Sequence, residues 1–226
     1  MPFLRRRAVW LPTWPFALLL GALLAAAAFW TGRHAYDLLA LRTPAPAART
    51  LIVEGWLSRA DLQQARELRR SGRYDRVLTT GGPIDPDQDV GGWRHFAARA
   101  AAILREDADS AVPVIAVPAP QTLQERTYLS AVQVRAWATK AGVTLDAVDV
   151  YTLGVHARRS RQVYRLALGD AVEVGVIAVP PSLYDGPRWW TSSDGAKNTL
   201  GEIVSLAWTS CCFWPPAAPA TPPPPH

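Results

Sequence analysis

The chain has 226 residues, 49% of them apolar and 19% charged, with 20 Pro, 10 Trp and 2 Cys, a composition that excludes a disulfide scaffold, a collagen-like chain and a wholly disordered one. Arg5, Arg6 and Arg7 carry +3 of the net +5, which leaves +2 for everything after them and excludes the clustered charge of a duplex-binding domain. Lys occurs only at Lys140 and Lys197; with abundant Ala, the preference for Arg fits a GC-rich bacterial codon bias better than a selected basic surface.

In chain order, residues 8–32 carry no charge, and about 20 apolar residues suffice to cross a bilayer. This predicts one membrane-spanning anchor within residues 1–32. The basic cluster before it puts the N-terminus in the cytoplasm and the rest of the chain outside. Trp10, Trp14 and Trp30 sit where indole rings favour the headgroup layer. A cleaved signal peptide is the alternative, with Ala-x-Ala sites in residues 25–28, but the uncharged stretch exceeds a typical h-region. Either reading exports the domain. Pro12 and Pro15 are tolerable in the first turns of such a helix. Residues 33–50, with Pro44 and Pro46, read as a Pro/Ala linker, and residues 209–226 as a Pro-rich unfolded tail, of which residues 215–226 should be removable with stability nearly unchanged.

The domain between them, residues 51–208, alternates short β-branched runs with helix-period segments. Strands are predicted at 51–53, 76–80, 112–117, 148–153 and 172–179. Helices are predicted at 57–71, from Trp93 through Leu104, and at 123–141, 158–168 and 193–208, with Gly72, Gly142 and Gly169 as stops. The fold class is α/β, a three-layer domain with a mainly parallel five-stranded sheet, because parallel neighbours need crossover connections. Cys211 and Cys212 are adjacent and read as small apolar groups packed at the end of the last helix, an intermolecular bridge being the other reading.

Ligands in such sheets bind beyond the carboxyl ends of the strands. That rim gathers Glu54, Trp56, Gly81, Gly82, Arg126, Thr127, His156, Arg158, Arg159, Asp185 and Trp190. Gly81-Gly82 reads as an anion nest or as a simple turn. Arg158 and Arg159 fall in the first turn of a helix, where the macrodipole opposes positive charge, so an anion should offset them. That anion is a phosphate or carboxylate ligand, or an internal carboxylate such as Glu54, Asp185 or Glu202. His156 is a proton donor or acceptor, or a structural hydrogen-bonder. No dinucleotide fingerprint, phosphate-binding P-loop, nucleophile elbow or zinc-protease motif is present, and the spacing of the four His gives no metal site.

The order of strand, Gly81-Gly82 turn, Arg126-Thr127-Tyr128 helix, His156-x-x-Arg159-Ser160 turn and late Trp190 and Glu202 resembles the ElyC/SanA/YdcF family of bacterial envelope proteins, over residues 51–208. Thr127 and Ala131 match that family's helix start. The first loop, Glu54-Gly55-Trp56, and the pair Leu129-Ser130 depart from its pattern, which marks a divergent branch. The resemblance implies a Rossmann-like domain, often exported behind one anchor, with roles in peptidoglycan or lipid-carrier metabolism. It associates S-adenosylmethionine with one cytoplasmic branch, so the cofactor here stays unknown.

The expected function is cell-envelope biogenesis from the cytoplasmic (inner) membrane, with a periplasmic domain that binds or acts on a phosphorylated lipid or cell-wall precursor. His156 and Glu54 are the candidate catalytic pair; Gly81, Gly82, Arg126, Thr127, Arg158, Arg159, Ser160 and Trp190 are the candidate ligand-binding groups. A non-catalytic module for a nucleotide-like ligand such as S-adenosylmethionine, or a structural envelope factor, are the alternatives.

Overall fold

The computed structural model describes residues 13–85, 91–107, 110–122 and 125–215. Two compact units divide the chain after Ala35. The first is most of helix α1, Trp14–Leu39, which is long and apolar enough to cross a membrane. At about 1.5 Å per residue its 26 residues exceed the roughly 30 Å of a hydrocarbon core. Pro15 falls in its first turn, as a helix tolerates, whereas Pro12 and the basic cluster lie outside the described residues.

The second unit is an α/β domain around a mixed sheet of six strands in the order β1-β6-β5-β2-β3-β4. The strands are β1 Arg42–Thr43, β2 Thr50–Glu54, β3 Arg76–Gly81, β4 Val114–Pro118, β5 Ala147–Leu153 and β6 Glu173–Val179. β2 to β6 pair in parallel, and β1 adds an antiparallel edge through Arg42↔Ile177 and Thr43↔Val176. The sixth strand corrects the linker assignment. Residues 33–39 continue α1, and the segment after them is pinned to the sheet, with Ala45 and Ala48 buried and the Ala45 N–H donating to Asp149 Oδ1 at 2.7 Å. Pro44 and Pro46 suit an edge strand, where a missing N–H breaks no ladder.

Five helices follow α1: α2 Arg59–Arg70, α3 Phe96–Arg105, α4 Arg126–Ala141, α5 Ala157–Leu168 and α6 Ser193–Cys211. β2 shows why both faces of the sheet need cover: all five of its residues are buried, and the pleat sends Leu51 and Val53 one way and Ile52 the other. Leu51 and Val53 pack with Leu57, Leu62 and Leu104 around α2 and α3. Ile52 packs with Val134, Val148 and Tyr164 around α4 and α5.

Ser58 caps α2 by accepting from the Asp61 N–H, and Gly142 closes α4 at φ +64°, a conformation that glycine adopts without a Cβ penalty. The buried guanidinium of Arg69 donates to the carbonyls of Leu104, Asp107, Ser110 and Val112, which satisfies groups at and beyond the end of α3. α3 begins three residues later than the Trp93 predicted, and α6 runs three residues past Trp208. The tail boundary moves accordingly: Thr209 is buried and Phe213 stacks on Tyr128 and Trp208. Residues 216–226 lie outside the described residues. Cys211 and Cys212 are exposed and joined to each other by a disulfide, not packed as apolar groups.

Asp149, on β5, is fully buried and accepts from the Ala45 N–H, the Tyr74 hydroxyl at 2.7 Å and Arg73 Nη2 at 3.1 Å. It lies against Gly175, where a Cβ would overlap Asp149 Oδ1 and the Ala45 nitrogen. Gly175→Ala therefore pushes a buried carboxylate off its donors. A thermal melt of the full chain in detergent should show a loss of about 1–3 kcal/mol or more, and an unchanged midpoint would show that this contact relaxes freely.

Candidate functional site

The strand order reverses between β2 and β5, and the chain leaves these two neighbours for opposite faces of the sheet, which opens a crevice at their carboxyl ends. A cleft of about 520 Å³ occupies that place. Glu54, Trp56, Gly81, Gly82, Arg126, Thr127, His156 and Arg159 line it, as predicted for the rim, together with Thr80, Phe96, Glu125, Ser130 and Glu202.

Glu54 ends β2 and is 3% exposed. Its Oε1 accepts from Ser160 Oγ at 2.8 Å; its Oε2 accepts from Thr152 Oγ1 at 2.5 Å and from Trp56 Nε1 at 2.9 Å. Three donors from β5, α5 and the loop after β2 therefore lock this carboxylate in one orientation. Gly55 permits the loop: a Cβ there would come within 2.5 Å of the Thr80 and Phe96 carbonyl oxygens. Gly81 serves the same approach from β3, at φ +145°, since its Cβ would stand 2.7 Å from that of Phe96.

His156 follows β5 on a short 3-10 turn that leads into α5. Its Nδ1 lies 2.7 Å from Glu202 Oε1, which assigns the proton to Nδ1 as donor to the carboxylate. Its Nε2 is buried, makes no hydrogen bond, and lies 3.6 Å from Glu54 Oε2. The indole of Trp56 meets the imidazole edge-on with centroids 5.3 Å apart, fixing the ring plane.

Glu202 comes from α6 and is bound again by Arg159, through Nε to Oε2 at 2.9 Å and Nη2 to Oε1 at 3.1 Å. Arg159 Nη2 also stands 3.0 Å from His156 Nδ1; with the proton on that nitrogen the approach is packing, not a hydrogen bond. Burial opposes ionisation of Glu202, yet the bonds from His156 and Arg159 outweigh it and hold the carboxyl down at about 2. Burial likewise opposes the charge on Arg159, and Glu202 more than restores it. Behind them the Tyr164 hydroxyl, pushed up by burial and by the Glu54 charge, stands 3.1 Å from Thr80 Oγ1.

The dipole argument thus finds its anion inside the protein: Glu202 engages Arg159, as one of the alternatives for this residue had it. Arg158 points elsewhere, into a groove with Arg161 and Arg165. Ser160 is fully buried with its hydroxyl directed to Glu54, so it positions the carboxylate and does not face the cleft. Trp190 is 42% exposed and outside the lining; Trp56 supplies the aromatic wall. Arg126 is exposed at the rim and pairs with no carboxylate among the described residues.

Glu125, which sequence reasoning missed, precedes α4 at φ +41°, lines the cleft and carries a buried, unpartnered Oε2. A positive φ at a non-glycine residue is a strained feature that clusters at functional sites, and no residue pattern announces it. Among the described residues no group of three or more His, Cys, Asp or Glu side chains is placed to hold a metal ion. Fold and site together define an α/β protein with a carboxylate–imidazole–carboxylate array at the reversal of its sheet. No family model, curated protein or solved structure matches the chain.

Proposed function

We propose that this chain is a membrane-anchored protein of the bacterial cell envelope, a divergent member of the ElyC/SanA/YdcF family with a Rossmann-like domain, whose cleft performs acid–base chemistry on a phosphorylated envelope precursor. One observation supports it above the rest: His156 lines the cleft and is gripped at Nδ1 by Glu202, while its buried Nε2 makes no hydrogen bond and stands beside Glu54. A neutral imidazole oriented in this way accepts a proton from a substrate hydroxyl or a water at Nε2. The two flanking carboxylates then stabilise the imidazolium. Arg126, free of internal carboxylates among the described residues, faces the phosphate at the rim beside Gly81, Gly82 and Thr127.

Mass spectrometry of material that co-purifies with the detergent-solubilised protein tests the reading. A phosphorylated lipid or cell-wall precursor is expected; S-adenosylmethionine would replace this reading with that of a nucleotide-binding module. The placement in the cytoplasmic membrane, N-terminus inside, follows from the basic cluster before α1. A reporter fused after His226 should be active only outside the cytoplasm, and a cytoplasmic signal would end the argument for export.

A further inference from the structure

Helix α6 is built with its polarity reversed. Facing the domain it carries Thr199, Glu202 and Thr209, with Thr199 and Thr209 buried and Glu202 in the cleft. Facing outward it carries Leu200, Ile203, Val204, Ala207 and Trp208, spaced at i, i+3, i+4, i+7 and i+8, and all are exposed, Val204 at 68%. Trp214, 84% exposed, continues the stripe just beyond the helix. An apolar face of this length is normally turned to a core, and contiguous exposed apolar surface marks an interaction site.

The surface beside it says which partner fits. A groove of about 640 Å³ runs between α5 and α6, lined by Arg158, Arg161 and Arg165 together with Leu206 and Ser210 of α6. The three arginines recur at i, i+3 and i+7 on α5, so their guanidinium groups form one row. Arg158 and Arg165 are exposed and pair with no carboxylate among the described residues, while Arg161 donates to the Val174 carbonyl. Asp170 is the one acidic residue in the lining. Leu41 lines the same groove, only two residues past the end of α1. An apolar stripe bordered by tryptophans and a row of arginines is the pattern of a helix lying in the headgroup layer of an anionic bilayer.

We infer that α6 is an interfacial helix: Leu200, Ile203, Val204 and Trp208 enter the acyl boundary of the membrane while Arg158, Arg161 and Arg165 take up anionic phospholipid headgroups. This rests on the reading of α1 as a membrane anchor. It deepens the proposed function, because the helix that inserts its outer face is the one whose inner face supplies Glu202 to the cleft. The site is thereby held at the bilayer surface, where a lipid-linked phosphorylated substrate presents its headgroup.

The test uses the full chain, one copy per lipid nanodisc, with Cys211 and Cys212 changed to Ser and an environment-sensitive fluorophore on Val204→Cys. Gln64→Cys, exposed on α2 at the opposite face of the sheet, is the solvent control, and Leu20→Cys reports the anchor. In discs of mixed anionic and zwitterionic phospholipid, nitroxide-bearing lipids should quench Val204→Cys about twofold or more and leave Gln64→Cys unquenched. Arg158→Glu with Arg165→Glu, or discs of zwitterionic lipid alone, should reduce that quenching. Quenching at position 20 without quenching at position 204 overturns the inference and leaves the anchor standing; quenching at neither position removes both. Quenching at 204 that ignores lipid charge and both arginine changes also overturns it. Since each disc holds one chain, a second copy covering α6 leaves position 204 unquenched.

Discussion

Arg159→Ala should destabilise the protein by about 3 kcal/mol, measured by urea denaturation of the full chain in detergent. The guanidinium holds both oxygens of Glu202, and the two side chains are only 14% and 16% exposed. Truncation leaves a mostly buried carboxylate with His156 as its remaining partner. Unchanged or increased stability would show that Arg159 does not hold Glu202 and is available to an anionic ligand. Glu202→Gln added to Arg159→Ala should recover part of the loss, because no charge is then stranded. The pH dependence follows from the same pair. The Glu202 carboxyl is held at about 2, below its ordinary 4.5, a difference equivalent to about 3 kcal/mol. That contribution is present above pH 4.5, declines as the pH falls below it, and is gone once the pH has passed through about 2. The wild type should therefore lose more stability across this window than Arg159→Ala.

His156→Gln should reduce function by about 10²- to 10⁴-fold while the chain still folds. The glutamine amide can donate to Glu202 as Nδ1 does, so the buried carboxylate keeps a partner, but it cannot take up a proton at the position of Nε2. Complementation of cells lacking the protein, beside turnover of a lipid-linked phosphorylated precursor, measures the loss; a denaturation curve confirms the fold. A folded His156→Gln chain with full activity would remove acid–base chemistry from this cleft. Glu54→Gln should lower activity too, and more variably, since Ser160 and Thr152 can turn their hydroxyls to suit an amide but the Trp56 indole can only donate.

Features that depend on a few neighbouring residues are legible in the amino-acid sequence by itself. Gly142 and Gly169 stop helices because both sit at positive φ, which a Cβ penalises. The β-branched runs form strands and the uncharged N-terminal stretch forms a long apolar helix, since each signal is complete within one segment. Glu54, Gly81, Gly82, Arg126, Thr127, His156 and Arg159 could be gathered at one rim because every parallel strand delivers its following residues to the same edge.

Tertiary structure decided the rest. β1 is two residues just ahead of Pro44 with no periodicity to read, and it exists because β6 offers an unpaired edge and Asp149 captures the Ala45 N–H. The sequence placed Glu54, Asp185 and Glu202 on equal terms as partners for Arg159; only the packing of α6 against α5 selected Glu202, 43 residues away. The pairing of β2 with β5 brought Glu54 to within 3.6 Å of His156 across about a hundred residues. The direction in which α6 faces was likewise undetermined, since a helical pattern has an apolar side wherever that side points. Local conformational preferences act within a few residues, whereas strand order and helix facing are settled by which long-range contacts bury the most surface once the whole chain has collapsed.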